Sequence, residues 1–239
     1  MGTITGQQIV DRAWIILQDT VGTPGTRWPA SECLMWLNDG LRDVVVQLPS
    51  AYVKTVVQAL AEGTRQNLSN MGLPDAVQFM KAPRNYLGTG PVYTPGRAIT
   101  TKPMAWIDEQ RPGWHNDPVG EIVHVFFDEN DPKTFYNWPP VVSGARAEIV
   151  YAAVPPIMSA LTDTITLDDI YSNALQFYLL FRAFSKNATY NRSPGAAAAN
   201  LQLYLQALGI KDQRLRQLNA NLQMLSDGAG VAGAQRSAQ

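Results

Sequence analysis

GEIVHVFFDENDPKTFYNWPPVVSGARAEIVY, residues Gly120–Tyr151, is the stretch of sequence that decides the fold. Its first apolar run, residues 122–127, is typical of a strand that is buried on both faces or nearly so. After a turn cluster of Asp, Asn and Pro, residues 134–138 indicate a second strand that Pro139-Pro140 should end. Residues 147–154 indicate a third strand. Three strands joined by short turns predict an antiparallel meander.

Two helices are predicted before this β region. Thr5 and Gln8 are spaced as a capping box, in which each side chain bonds the backbone N–H of the other residue. Apolar residues then recur at helical spacing, which predicts a helix over residues 6–19. Residues 30–48 repeat leucine and valine with the same period until Pro49, and they predict a second helix.

The region between the second helix and the meander favours strands and loops. Residues 55–60 and 64–68 face each other across Glu62-Gly63 and predict a hairpin. Residues 82–118 are rich in proline and glycine and predict a long ordered loop, with one short helix at 104–110. Long loops in compact domains tend to be functional or to lie in interfaces.

Three further helices are predicted after the meander. The first, residues 168–187, starts at acidic capping residues and is apolar nearly all round between Ala174 and Phe184. It should be either a central helix, buried on all sides, or a helix whose outer face meets another subunit. The second ends at Gly209, and the third carries a leucine seam of two heptads that needs support from another surface. Residues 227–239 contain too little apolar surface to order themselves.

These elements predict an α+β fold, in which a helical bundle packs with a central antiparallel β-meander and hairpin region. Two N-terminal and three C-terminal helices form the bundle. The expected domains are a discontinuous bundle of residues 1–50 and 165–226, a β-rich insertion of residues 51–164, and an extended tail of residues 227–239. The insertion carries the long loop at 82–118.

Composition and charge exclude several classes of protein. A net charge of −1 over 239 residues gives no basic field for nucleic acid or a membrane surface, and no apolar run approaches the ~20 residues of a membrane span. Cys33 is the only cysteine, so no intrachain disulfide can form. The charge is uneven, because residues 119–169 carry −6 and residues 170–239 carry +5. Such a split favours contacts between subunits of opposite local charge.

The sequence shows no arrangement typical of a catalytic or metal centre. Asp128-Glu129 lies in a predicted turn and Asp168-Asp169 at a predicted helix start, which are the usual structural positions of acidic residues. His115 and His124 have no cysteine or acid at metal-ligand spacing. No nucleophile elbow, phosphate loop, dinucleotide fingerprint or zinc-protease motif occurs. We therefore predict no enzyme and no cofactor.

Seven stretches, taken in order, carry a family resemblance. They are RAWIILQD (Arg12–Asp19), RWPASECLMWLNDGLRDVVVQLP (Arg27–Pro49), LAEGTRQNL (Leu60–Leu68), RNY (Arg84–Tyr86), GRAI (Gly96–Ile99), VHVFFDENDPKTFYNWPP (Val123–Pro140) and LQFYLLFRAFSKNA (Leu175–Ala188). Together they resemble the head-to-tail adaptor proteins of tailed bacteriophages, also called connector or head-completion proteins. The resemblance extends over about residues 5–210 and rests on the series rather than on one motif.

The resemblance implies a structural role in the virion. Similar proteins form a ring, generally twelve-fold, beneath the portal protein of the DNA-filled head. The ring extends the DNA channel and gives the tail tube or nozzle protein a docking surface in the neck. Double-stranded DNA passes through without specific binding, which suits a nearly neutral chain. No membrane is involved, and the protein would occupy the host cytoplasm before assembly.

Two sets of residues are candidates for these contacts. A portal-docking set in the C-terminal segment comprises Lys211, Arg214, Leu215, Arg216, Leu218, Leu222, Leu225 and Arg236. A subunit-interface set comprises Tyr86, Tyr93, Trp106, Trp114, Asp128, Glu129 and Asp131. The first set joins a leucine seam to basic charge, and the second joins loop aromatics to an acidic turn.

Two other functions stay open at the level of sequence. A tail-associated glycan-binding or hydrolase module would need an aromatic cleft, which Trp106, Trp114 and Trp138 could line. A DNA-binding packaging factor would use the basic residues of the C-terminal part. These are Arg182, Lys186, Arg192, Lys211, Arg214 and Arg216.

Overall fold

The computed structural model describes residues 2–20, 24–88, 93–128, 130–186 and 195–209. The chain forms two compact units, one of residues 49–155 and one of residues 1–48 with 156–239. We call them the β unit and the helical unit. The domain boundaries that the sequence suggests, 50/51 and 164/165, stay a prediction, and the tail at 227–239 lies outside the described residues.

The described residues contain five α-helices and nine strands, which confirms the α+β class. The helices are α1 (Gly6–Leu17), α2 (Ala30–Gln47), α3 (Met104–Gln110), α4 (Ser172–Lys186) and α5 (195–209). The strands are β1 (Val53–Ala59), β2 (Gly63–Asn67), β3 (Ala76–Lys81), β4 (Arg84–Leu87), β5 (Thr94–Ala98), β6 (Thr100–Thr101), β7 (His124–Phe127), β8 (Thr134–Val141) and β9 (Arg146–Ala153).

The N-terminal helix begins as its sequence predicts. The Thr5 side chain accepts a hydrogen bond from the Gln8 backbone N–H, and the Gln8 side chain accepts one from the Thr5 N–H, so both halves of the capping box are present. The helix ends when Gln18 adopts a left-handed conformation, with φ 57°, that directs its N–H back to the carbonyl of Ile15. Its buried face includes Ile9 and Ala13.

Helices α2, α4 and α5 pack closely in the helical unit. Gly40 of α2 permits the approach of α4, because a Cβ atom there would lie 2.9 Å from Cδ1 of Tyr178. Tyr204 of α5 is buried against the edge of the Tyr178 ring, with 5.4 Å between ring centroids. The Tyr204 hydroxyl donates to Oδ2 of Asp43 in α2, at 2.5 Å. One buried tyrosine therefore ties α5 to α2 and α4.

The first alternative predicted for α4, burial on all sides, is wrong for one of its faces among the described residues, and the second, contact of the outer face with another subunit, stays a prediction. Leu175 and Leu179 are fully buried, whereas Phe177, Phe181 and Phe184 are each half-buried. The spacing of these three phenylalanines, four and then three residues, places them on one side of the helix. The described residues cover the leucine side completely and the phenylalanine side in part.

The β unit consists of two sheets around a shared apolar core. In the five-stranded sheet, β9 is central, with β1 on one side and β3 and β4 along the other, and β5 pairs with β4. The four-stranded sheet has the order β2-β8-β7-β6. Side chains from both sheets, among them Phe79, Phe135 and Ile149, fill the core between them.

Two of the predicted strand pairings are wrong. Strands β1 and β2 do not form a hairpin, because β1 pairs with β9 and β2 pairs with β8. The hairpin of β7 and β8 is present, but β9 leaves the meander for the other sheet. The chain passes between the two sheets after β1 and again after β8, and both passages lie at one corner of the β unit. There the N–H of Leu60 bonds Ala145 O at 2.8 Å, and the N–H of Gly144 bonds Leu60 O at 3.1 Å. These bonds hold the two crossing segments together.

Strand β8 also continues beyond its predicted end. It runs through Pro139 and Pro140 to Val141. Proline has no N–H group, but its carbonyl still accepts, and Pro140 O accepts from the N–H of Gly120 at 2.9 Å. The buried amide of Asn137 donates to Pro139 O at 2.8 Å. The carbonyl groups of both prolines are therefore hydrogen-bonded, although neither proline has an N–H group to donate to a neighbouring strand.

Candidate interaction surfaces

The acidic pairs singled out in the sequence serve as backbone caps. Asp168 accepts from the N–H of Ile170 at 3.2 Å. Asp169 accepts from the N–H and the hydroxyl of Thr3, at 2.7 and 2.6 Å, and these bonds lower the pKa of its carboxyl group. Asp128 accepts from the N–H of Asn130 at 2.9 Å. The structural interpretation of these carboxylates is confirmed, while Glu129 lies outside the described residues.

The three tryptophans proposed for a cleft pack on the outer face of the four-stranded sheet. Trp114 is 1% exposed, packs on Phe126 and donates its indole N–H to Asp108 at 2.9 Å. Trp106 and Trp138 are half-buried and lie against the ring of His124, with centroids 5.1 and 5.8 Å away. These contacts fill the space between the rings, so the tryptophans do not line an open aromatic cleft.

His124 belongs to this packed layer. Its Nδ1 lies 2.5 Å from the Thr100 hydroxyl oxygen. Burial first, and then the positive charges of Lys102 and Arg97, lower the pKa of its imidazole. No group of three or more His, Cys, Asp or Glu side chains is placed to hold a metal ion within the described ranges. His124 lies opposite Trp138 in the β7–β8 ladder and stacks on its ring, so it packs across the two strands.

The basic residues of α4 bind carboxylates of α2. Arg182 lies 3.7 Å from Asp39, and Lys186 forms an ion pair with Glu32. The remaining residues of the basic set, Arg192, Lys211, Arg214 and Arg216, lie outside the described residues. Among the helices that the structure describes, none combines the length and the apolar character that a membrane crossing requires.

One end of the β unit carries an exposed apolar groove. Leu87, Val119 and Val142 are 48%, 57% and 56% exposed and all line one concavity of about 380 Å³. The concavity lies between the end of β4, the segment before β7 and the turn between β8 and β9. Exposed aliphatic side chains that converge on one hollow are a common mark of a protein contact. We call this surface the apolar groove.

Aromatic and charged residues border the apolar groove. The guanidinium of Arg146 lies 4.8 Å from the centre of the Tyr93 ring, which positions it by a cation–π contact. The Tyr93 ring meets the ring of Tyr86 edge-on, at 6.5 Å between centroids. Glu121 is exposed and lines the same hollow. Tyrosine and arginine beside apolar side chains are the residues most enriched at binding hot spots.

The turn between β7 and β8 lies at the other end of β8 from the apolar groove and carries an exposed aromatic residue. Phe127, 39% exposed, ends β7 and lies between two hollows of about 530 and 380 Å³. Asp128 and Asp131 flank it, and bonds from the Thr134 hydroxyl and the Lys133 N–H lower the pKa of Asp131. We call residues 127, 128 and 130–132 the acidic turn. The eight residues of β8 separate it from the apolar groove by about 25 Å.

The structure distributes the described members of the predicted interface set over four places. Tyr86 and Tyr93 lie at the apolar groove, and Asp128 and Asp131 lie in the acidic turn. Trp106 lies in the aromatic layer, and Trp114 belongs to the interior, where a side chain that is 1% exposed offers no surface to a second subunit. The three aliphatic residues of the groove escaped prediction, because they come from distant stretches with no common local pattern.

The predicted portal-docking set cannot be compared with the structure. All eight members lie outside the described residues: Lys211, Arg214, Leu215, Arg216, Leu218, Leu222, Leu225 and Arg236. Their role in docking stays a prediction.

The apolar groove and the acidic turn are exposed surfaces of the kind that contacts other proteins. The chain belongs to the SU10 adaptor protein family, which it matches over residues 4–225. It is therefore a phage structural adaptor, a virion component that interacts with other head and tail proteins. The family indicated by the sequence is confirmed. No curated protein matches the chain.

Proposed function

We propose that this adaptor forms a closed ring, of twelve subunits, beneath the portal protein of a DNA-filled head. The ring extends the DNA channel and offers the tail tube or nozzle protein a docking surface in the neck. The observation that carries the proposal is the family match, which extends over residues 4–225 of the 239. The apolar groove supports it, because an assembly protein must keep contact surfaces exposed until it meets its partners.

The charge of the chain suits the wall of a DNA channel. A protein that neutralises many phosphates binds DNA tightly at low salt, and such binding would impede DNA that has to slide. The net charge of −1 avoids that attraction. Arg182 and Lys186 of α4 are also engaged with Asp39 and Glu32. DNA therefore passes as a cargo that the ring does not bind specifically.

The C-terminal segment, residues 211–239, is proposed to dock on the portal. Its sequence places Leu215, Leu218, Leu222 and Leu225 on one apolar seam and adds four basic residues, Lys211, Arg214, Arg216 and Arg236. A seam of two heptads is too short to be stable alone and needs a partner groove. Repetition around a ring strengthens such a weak contact by multivalency.

Truncation tests the docking proposal. One variant ends at Gly209 and lacks the whole segment, and a matched control ends at Ser226 and lacks only the polar tail. Each is added to DNA-filled heads assembled without adaptor, and attachment is followed by sedimentation and electron microscopy. The shorter variant should stay folded by circular dichroism but fail to attach. The variant that ends at Ser226 should keep most of the binding, which would attribute attachment to the leucine seam rather than to the polar tail.

Two results would contradict different parts of the proposal. Normal attachment of the Gly209 truncation would show that the portal contact lies elsewhere in the chain. Attachment of full-length protein as isolated subunits, without a ring in averaged images, would overturn the ring itself.

A further inference from the structure

We propose that the acidic turn of one subunit seats in the apolar groove of the next, so that the β units join head to tail around the ring. The contact rests on the ring proposed above and names the two surfaces that would form it. The Phe127 side chain enters the groove between Leu87, Val119 and Val142. The carboxylates of the acidic turn approach Arg146 at the edge of the groove.

The positions of the two surfaces suit a closed ring. A contact between identical patches produces a two-fold dimer, whereas a contact between two different patches repeats from subunit to subunit and closes a ring when the rotation between neighbours brings the last subunit back to the first. The groove and the acidic turn are different surfaces at opposite ends of β8, about 25 Å apart. Each β unit can therefore contact one neighbour with its groove and the other neighbour with its turn.

Shape and polarity agree with this pairing. The groove is concave and lined by three exposed aliphatic side chains. Phe127 is 39% exposed, with one side of its ring against Phe79, at 5.4 Å between centroids, and the rest open to two hollows. A hollow of about 380 Å³ has room for a phenyl ring, since pockets of about 300–1,000 Å³ hold whole small-molecule ligands. Burial of Phe127 against the aliphatic residues would remove apolar surface of both subunits from water.

The charges around the two surfaces are of opposite sign. In this contact Asp128 and Asp131 of one subunit lie opposite Arg146 of the next subunit, whose guanidinium Tyr93 holds at the edge of the groove. Exposed Lys102 lines a hollow beside Phe127, and exposed Glu121 lines the groove. Turn-to-turn contact would oppose carboxylates to carboxylates, so the charges favour the head-to-tail arrangement and guide its formation.

Cysteine cross-linking tests the contact in the full chain. Cys33 is fully buried and burial raises the pKa of its thiol to about 11, so it provides little reactive thiolate at neutral pH. Exposed Asn130 in the turn and exposed Val142 in the groove are changed to cysteine, separately and together. Assembled particles are treated with a short bis-maleimide and separated by denaturing electrophoresis.

The double variant N130C/V142C should give a ladder of dimers, trimers and higher multimers. A mixture of the two single variants should give dimers only, and each single variant alone should remain monomeric. As a second measurement, Lys102→Glu and Glu121→Lys should each slow assembly about tenfold, and the double reversal should restore most of the rate.

The outcomes separate this inference from the ring itself. Monomers from N130C/V142C in particles that contain a ring would overturn the head-to-tail contact and leave the proposed function intact. Dimers from V142C alone would also overturn it, because they require groove-to-groove contact. Particles that join head and tail without any ring would overturn both proposals.

Discussion

At the scale of single residues, the Tyr204 hydroxyl is a connection between distant parts of the chain. It donates to Asp43, 161 positions earlier in sequence, and its ring is 1% exposed. Tyr204→Phe removes the donor, keeps the ring and leaves a partly buried carboxylate without its partner. We expect a loss of about 1–2 kcal/mol in the free energy of unfolding, measured with chemical denaturant.

A double-mutant cycle with Asp43→Ala isolates this pair. If the hydrogen bond carries the effect, Tyr204→Phe should cost little once Asp43 has been removed. An equal cost in both backgrounds would attribute the loss to packing of the tyrosine rather than to its bond with Asp43.

His124 gives the β unit a dependence on pH. Its pKa in the folded protein is below the ordinary value of 6.5, chiefly because of burial. The unfolded chain therefore binds a proton at a higher pH than the folded chain, and stability falls as the pH drops through and below about 6.5. We expect the melting temperature of wild type to fall between about pH 7.5 and 5.5 by more than that of His124→Asn.

The asparagine in that variant retains a polar group near the position of Nδ1, so the contact with Thr100 can persist. Other titrating groups are common to both proteins and cancel in the comparison. Parallel pH profiles for wild type and variant would rule out a contribution from His124.

At the scale of elements, the close approach of α2 and α4 depends on the absence of one side chain. Alanine at position 40 would improve helix propensity by about 1 kcal/mol, but its Cβ would lie 2.9 Å from Tyr178 and 3.3 Å from Leu175. Overpacking of this kind costs about 1–3 kcal/mol. We expect Gly40→Ala to lower the unfolding free energy in spite of its higher helix propensity.

Gly195 of α5 provides the matched control, because a Cβ there meets nothing within 4 Å. Gly195→Ala should therefore leave stability unchanged or raise it. Gly40→Ala as stable as Gly195→Ala would show that α2 and α4 can separate without cost.

Most elements outside residues 82–118 could be predicted from sequence, but the partners of the strands could not. The long loop predicted over residues 82–118 is wrong in part, because β4, β5 and β6 lie within it. Capping at Thr5, leucine periodicity in α2 and the aromatic run of β8 are local signals, and each marks an element that is present. Pairing is not local, since β1 is adjacent to β2 in sequence and yet pairs with β9, some 90 residues later. Local turn signals at Glu62-Gly63 fit a corner between sheets as well as they fit a hairpin.

The same reason explains which parts of the surface could be predicted. Tyr86, Tyr93, Asp128 and Asp131 could be proposed as contact residues because loop aromatics and acidic turns are visible in sequence, and their role in an interface stays a prediction. The groove depends on Leu87, Val119 and Val142, which are ordinary apolar residues until the fold exposes them side by side. Trp114 is the opposite case. A tryptophan in a predicted loop suggests a contact residue at the surface, but its side chain is buried in the structure.

At the scale of the whole molecule, folding redistributes the uneven charge of the sequence. Residues 49–155 hold nine basic and ten acidic residues, and the rest of the chain holds ten of each. Each unit is therefore almost neutral, and attraction between subunits must come from local groups such as Asp128 and Arg146. Long-range fields between whole units contribute little.

Local charge pairs predict a dependence of assembly on salt. Raising the salt from about 0.05 M to about 0.5 M shortens the Debye length about threefold, so the rate of ring assembly should fall. Light scattering after mixing with heads measures that rate. Asp128→Asn removes one carboxylate of the acidic turn and should assemble more slowly at low salt with a weaker dependence on salt. A wild-type rate that is the same at both concentrations would contradict the prediction.

The β unit closes upon itself where it enters and leaves the rest of the chain. The N–H of Ala153 bonds the carbonyl of Tyr52 at 3.0 Å, and Val53 pairs with Ala152 at the adjoining rung. A segment whose ends already meet can be cut out and replaced at little entropic cost to the chain around it. Residues 49–155 thus form a unit that recombination between phages could replace as a whole. The helices on either side of it would keep their contacts with one another.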